Sequence, residues 1–86
     1  MIKTLSLEND KVLINEVVVL ETYDICNKYL KDLQFPPQSQ VCSIYRYPHM
    51  IIPNGNTQIL ANDKLFVVSS NENKNVVIDY IRGNKK

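Results

Sequence analysis

The chain has 86 residues, with 10 Lys and Arg against 9 Asp and Glu, one His and two Cys. That length makes one domain with a small core, because chains of this size bury only about 60–65% of their unfolded surface, so a second copy or further chain is expected to help stabilise it. The near-neutral, scattered charge leaves no basic face for an electrostatic nucleic-acid footprint, and no nucleic-acid partner is expected.

Residues 1–11 read as a linker or an extra strand, with Ile2, Leu5 and Leu7 punctuating a polar segment and Asn9-Asp10 signalling a turn. Over 12–21 the run Val17-Val18-Val19-Leu20 is strongly β-prone, and Asn15-Glu16 interrupts it, so one strand with a bulge near Asn15 is expected. Thr22 supplies an N-cap oxygen and Asp24 an acidic first turn. Ile25/Cys26, Tyr29/Leu30 and Leu33 then recur at helical spacing, which predicts a short amphipathic helix over 23–33, stopped by Pro36-Pro37. A meander follows. Strands at 41–46 and 50–52 flank Tyr47-Pro48-His49, and Pro53-Asn54-Gly55-Asn56 breaks the chain. Residues 57–60 return briefly to extended structure, Ala61-Asn62-Asp63 turns again, and 64–69 forms a last strand. Its run Leu65-Phe66-Val67-Val68 is apolar without a gap, as for a strand covered on both faces or a helix-free core segment too short to be anything else. Val76/Val77, Tyr80 and Ile81 mark one face of a final helix closed by Gly83, and 84–86 should fray. The sum is an α+β domain over 12–83, in the order β-α-β-β-β(-α), with a mostly antiparallel sheet and one or two short helices.

Catalytic chemistry is sparse. One His and two distant Cys cannot supply a zinc ligand set, the two glycines make no phosphate loop, and paired carboxylates are absent, so no enzyme is expected. Cys26 and Cys42 read as buried free thiols of a reducing compartment. A Cys42–His49 nucleophilic pair is outweighed by a core position for Cys42, which alternation puts on the same face as Ile44. Asp63 should accept backbone N–H bonds in its turn. Arg46, Tyr47 and His49 form a polar and aromatic cluster at a hairpin, suited to an anionic or aromatic ligand, or else an ordinary exposed turn with Arg46 along the sheet edge. Tyr45 and Tyr47 share a strand face, but few Lys or Arg accompany them, which disfavours RNA. No apolar run reaches the roughly 18–20 residues of a membrane span and no signal-peptide pattern opens the chain; no direct membrane insertion of this segment and a cytoplasmic location are expected.

The ordered series Ile44-x-Arg46, Ile52-Pro53-x-Gly55-x-Thr57 and Leu60-Ala61-x-Asp63-x-Leu65, preceded by Leu33-x-Phe35-Pro36, resembles the TrkA-C domain, the C-terminal half of the RCK module that regulates potassium conductance. The resemblance covers roughly 12–70. Asn62 stands where the family usually has Gly, and Asn56 where it usually has Asp; Asn also tolerates the left-handed conformation such a turn needs. The run Ser43-Ile44-Tyr45-Arg46 with Ile51-Ile52-Pro53 is similar to TrkA-C domains appended to ClC-type chloride channels and exchangers. Membership implies a cytosolic regulatory domain of an ion channel or transporter, at the inner face of the membrane and without a cofactor. It also implies a homodimer paired through strand edges and the helix, attached to a membrane channel or transporter subunit. A nucleotide such as cyclic di-AMP would sit between protomers, near Leu33, Gln34, Ser39, Gln40 and His49; the hairpin cluster read above adds Arg46 as a further ligand contact. Members that bind this nucleotide tend to carry Arg where Gln34 stands and Asn where Gln40 stands. Loss of that Arg removes a charge-assisted contact of roughly 1.5–3 kcal/mol, or one to two decades of affinity. The alternative is a purely structural dimerisation or docking module with no small ligand.

Overall fold

The computed structural model describes residues 2–83; the expected frayed tail at 84–86 lies outside them. Period-two alternation builds five strands: β1 (Ile2–Leu7), β2 (Val12–Val18), β3 (Ser39–Arg46), β4 (His49–Ile51) and β5 (Lys64–Ser70). They form one sheet in the order β1-β2-β5-β3-β4, and every neighbouring pair is antiparallel. A single helix, α1 (Lys74–Arg82), follows β5. The N-terminal segment is thus a strand rather than a linker. Its hairpin turn places Glu8, Asn9 and Asp10 at φ of 51°, 57° and 70°.

β2 carries no bulge at Asn15, where its pairing with both neighbours runs unbroken. Asn15 is fully buried and satisfied: its amide donates to Ser69 Oγ at 2.9 Å and Val67 O at 3.3 Å, and its oxygen accepts from Thr4 Oγ1 at 3.1 Å. The bulge lies in β3, between Val41 and Ser43. That extra residue is Cys42, which is exposed, and Cys26 is only half-buried. The expectation of two buried thiols therefore fails. Alternation from Ile44 back to Cys42 is broken by the unpaired bulge residue.

The expected helix over 23–33 does not form. The N–H groups of Tyr23, Cys26 and Lys28 bond three residues back, to Leu20, Tyr23 and Ile25, giving successive tight turns. Asn27 is left-handed at φ 72°, and only Leu30–Asp32 makes a short 3₁₀ turn. The remaining backbone groups are used across the chain. Asn27 N–H donates to Ile59 O at 2.7 Å, Ile59 N–H to Lys28 O at 2.9 Å, and Leu30 N–H to Thr57 O at 3.0 Å. Three-residue turns repeat nearly as an α-helix does, so the apolar spacing was satisfied by a different backbone.

One face of the sheet holds the core. Val17, Val41, Ile44, Leu65 and Val67 are buried there beneath Val77, Ile78 and Ile81 of α1 and beneath Ile25 and Ile59 of the loops. Val76 points away and is 55% exposed, so Ile78 takes the place that the helix-face reading gave it. Gly83 ends α1 at φ 86°, with its N–H on Asp79 O at 2.8 Å. A Cβ there would lie 2.6 Å from Asp24 Cβ, so glycine is required twice over. The opposite face of the sheet is not covered by any described element, contrary to the reading of β5. Phe66 and Val68 are half-buried there beside Val12 and Ile14. The same face carries Leu5 and Leu7, which are 61% and 42% exposed.

Candidate ligand cleft

Where β3 begins, the chain brings three segments around a cleft of about 410 Å³. Leu30, Leu33 and Phe35 come from the 3₁₀ turn and its exit, Ser39, Gln40 and Val41 from β3, and Pro53, Asn54 and Gly55 from the break after β4. The volume falls in the range of small-molecule sites. Its walls are tied down locally. Lys31 N–H donates to Gly55 O at 3.0 Å, and a Cβ at Gly55 would come within 3.2 Å of Lys31 Cβ, so the close approach uses the missing side chain. Phe35 meets Tyr80 of α1 edge-on with centroids 5.1 Å apart, and Gln34 N–H donates to Tyr80 Oη at 2.8 Å. Ser39 Oγ donates to Pro36 O at 2.5 Å. The turn closes on itself: Asn54 Oδ1 accepts from Asn56 N–H at 2.8 Å, and Thr57 Oγ1 from Asn54 N–H at 3.0 Å.

Of the residues singled out from sequence, Leu33, Ser39 and Gln40 line this cleft together and Gln34 flanks it. Arg46 and His49 stand apart, six residues farther along β3 and at the start of β4, roughly 20 Å away at the rise of a strand. Arg46 is also not free to hold a ligand. Its Nε donates to Asp63 Oδ1 at 2.8 Å, and its Nη2 to Asp63 Oδ2 at 2.6 Å and Gln58 O at 2.8 Å. Hydrogen bonding to Asp63 raises the guanidinium above its ordinary pKa, outweighing partial burial. Asp63 is buried and also accepts the Leu60 N–H at 2.9 Å, the turn role expected of it. His49 is exposed opposite Arg46, and Tyr47, 84% exposed, meets Tyr45 edge-on at 6.3 Å. Sequence reasoning missed Leu30, Phe35, Val41 and Pro53–Gly55 as neighbours of one space. The Pro-x-Gly break and the Leu-x-Phe-Pro run were visible signals, but the turn that brings them together depends on bonds between 27–31 and 55–59.

A larger depression, about 700 Å³, lies beside the β1–β2 turn and the end of β5. Asp10 is engaged there, its backbone oxygen with Asn71 Nδ2 at 2.8 Å and its carboxylate with Ser6 Oγ. Among the described residues no three of His, Cys, Asp and Glu converge as metal ligands, and no helix is long and apolar enough to cross a membrane.

A five-stranded antiparallel sheet of this order with one C-terminal helix defines a small α+β domain. The TrkA-C domain model matches residues 14–82, and the chain belongs to that family. It is similar to the Trk system potassium uptake protein TrkA homolog of Archaeoglobus fulgidus, with 34% identity over 71 residues. That match takes in 83% of this chain and 16% of the relative, so the chain spans about one sixth of the relative's length. A solved structure described as "Structure of RCK domain with cda" superposes with a TM-score of 0.67 at 24% identity, covering 83% of this chain and 97% of that one.

Proposed function

We propose that this domain is the ligand-sensing, dimerising regulatory part of a potassium-transport system, working at the cytoplasmic face of the membrane alongside a transporter subunit. The observation that carries the reading is the family match over 14–82, which leaves out only β1 and the start of β2 among the elements described. Potassium is preferred to the chloride carriers because the relative found is a potassium uptake protein. The regulatory ligand is a nucleotide of the cyclic di-AMP kind, held at the cleft of Leu33, Ser39 and Gln40 with Gln34 at its edge. Arg46 and His49 are left out of the ligand set, since the ion pair to Asp63 already uses the Arg46 fork.

Two copies pair through the uncovered sheet face. The helix expected to share the pairing, 23–33, is replaced by turns, whereas the bare face offers Leu5, Leu7, Val12, Ile14, Phe66 and Val68 around the Lys64–Glu16 ion pair. Three strands about 4.8 Å apart and about 23 Å long give roughly 330 Å² of plan area. A standard interface buries about 800 Å² per partner, so pairing of the isolated domain is weak and strengthens when tethered to a larger assembly. Ligand shifts transport only through a difference in affinity between two dimer arrangements. A docking module without ligand is the second reading, favoured by that same bare face. Thermal unfolding with a nucleotide panel including cyclic di-AMP separates them. A true ligand at a hundredfold excess over Kd stabilises by about 2.7 kcal/mol, and silence across the panel leaves docking alone.

A further inference from the structure

We infer that the turn after β4 is a self-modifying site, where Asn54 loses its side-chain nitrogen as ammonia and becomes aspartate or isoaspartate without an enzyme. Of the asparagines in the chain, Asn54 alone is followed by glycine. Both residues of the pair are exposed. With no Cβ on Gly55, the peptide nitrogen joining them is open to approach by the Asn54 side chain. The Gly55 N–H has no acceptor among the described residues, so no hydrogen bond has to break before that nitrogen reacts.

The turn supplies the rest of the chemistry. Asn54 Oδ1 accepts the Asn56 N–H at 2.8 Å, which sets a donor on the oxygen that becomes anionic when the Gly55 nitrogen attacks Asn54 Cγ. The main chain around it is already held. Asn54 N–H donates to Thr57 Oγ1, Thr57 N–H to Asn54 O and Lys31 N–H to Gly55 O, each at 3.0 Å. Attack forms a C–N bond, and the Gly55 proton passes through solvent to the departing amino group, which leaves as ammonia. Water then opens the resulting five-membered imide. Opening at Cγ gives aspartate in the ordinary chain, whereas opening at the main-chain carbonyl gives isoaspartate and lengthens the backbone by a methylene. One water is consumed, one ammonia is released, and nothing is oxidised or reduced. Either product carries a carboxylate, which takes the formal net charge from +1 to zero. That carboxylate stands on the rim of a cleft whose other lining side chains are all uncharged.

Ageing the 86-residue chain at about 37 °C, at about pH 7 and about pH 9, tests this, with peptide mass mapping and chromatographic separation of the two products. Conversion at Asn54 at least about tenfold faster than at any other asparagine, and faster at the higher pH because the attacking nitrogen must lose its proton, is expected. Equal conversion among the asparagines, or none at position 54, overturns the inference. The same measurement in urea separates the turn from the bare Asn-Gly pair. A folded chain reacting within about threefold of the unfolded one, or faster, is expected if the turn holds the reacting groups together. A folded rate lower than that shows that the turn protects Asn54, and overturns the inference as well.

Discussion

On β5, Leu65 and Val67 have no exposed surface, while Phe66 and Val68, one step along the pleat, stay half-buried. The two rows are equally apolar, and they differ only in what the rest of the chain does. Ile25 comes from the segment between β2 and β3, Ile59 from the segment between β4 and β5, and Val77 and Ile81 from α1, and all pack on the same side. The connections therefore decide which side becomes interior, and the strand sequence cannot reveal it. Full burial of a Leu or Val stabilises by about 1.5–3 kcal/mol, so the row that no described element covers contributes less than its neighbour.

The sharpest way to test this contrast is to cut one residue from each side. Leu65→Ala should lower unfolding free energy by about 3 kcal/mol, measured by urea denaturation, because it leaves a cavity under α1. A loss below about 1 kcal/mol would mean that the covered face is loosely packed. Next in size is Arg46→Ala, expected to cost about 2–3 kcal/mol, below the usual figure for a broken buried pair because Arg46 is itself 35% exposed. Its folded pKa is raised, so its contribution is complete below the unfolded value and disappears only as pH climbs through the folded one in strong alkali. Stability curves of wild type and variant should therefore run parallel from pH 6 to pH 9. Smallest in stability is Leu5→Glu on the open side, within about 0.5 kcal/mol of wild type. That variant should nevertheless weaken self-association at least tenfold in sedimentation equilibrium, since it puts an unpaired charge into the proposed pairing face. Equal association by the variant would move the contact elsewhere.

Much of the fold was legible where structure is local. The breaks at Pro53–Asn56 and 61–63, the left-handed Asn62 at φ 73°, and the Gly83 stop all follow from residue chemistry acting over a few positions. The segment 23–33 was not legible, because the N–H groups of Asn27, Leu30 and Lys31 are satisfied by carbonyls of Ile59, Thr57 and Gly55, and α- and 3₁₀-type turns share almost the same apolar spacing. Cys42 was misplaced for a related reason: one bulge residue inverts the alternation that assigned its face. The cleft was half legible. Leu33, Ser39 and Gln40 came from a resemblance to known domains, while Arg46 looked like a ligand contact only because its partner, Asp63, lies across the meander.

Asn15 has a consequence for how the sheet is assembled. Its amide meets a hydroxyl on each flank, from Thr4 of β1 and Ser69 of β5. Sliding β2 against β5 by one position would break the bond between the buried Asn15 amide and the buried Ser69 hydroxyl, at about 1–3 kcal/mol for each orphaned group. The asparagine acts as an alignment key that fits a single setting. It gives strands whose outer rows are largely apolar a reason to refuse any other phase.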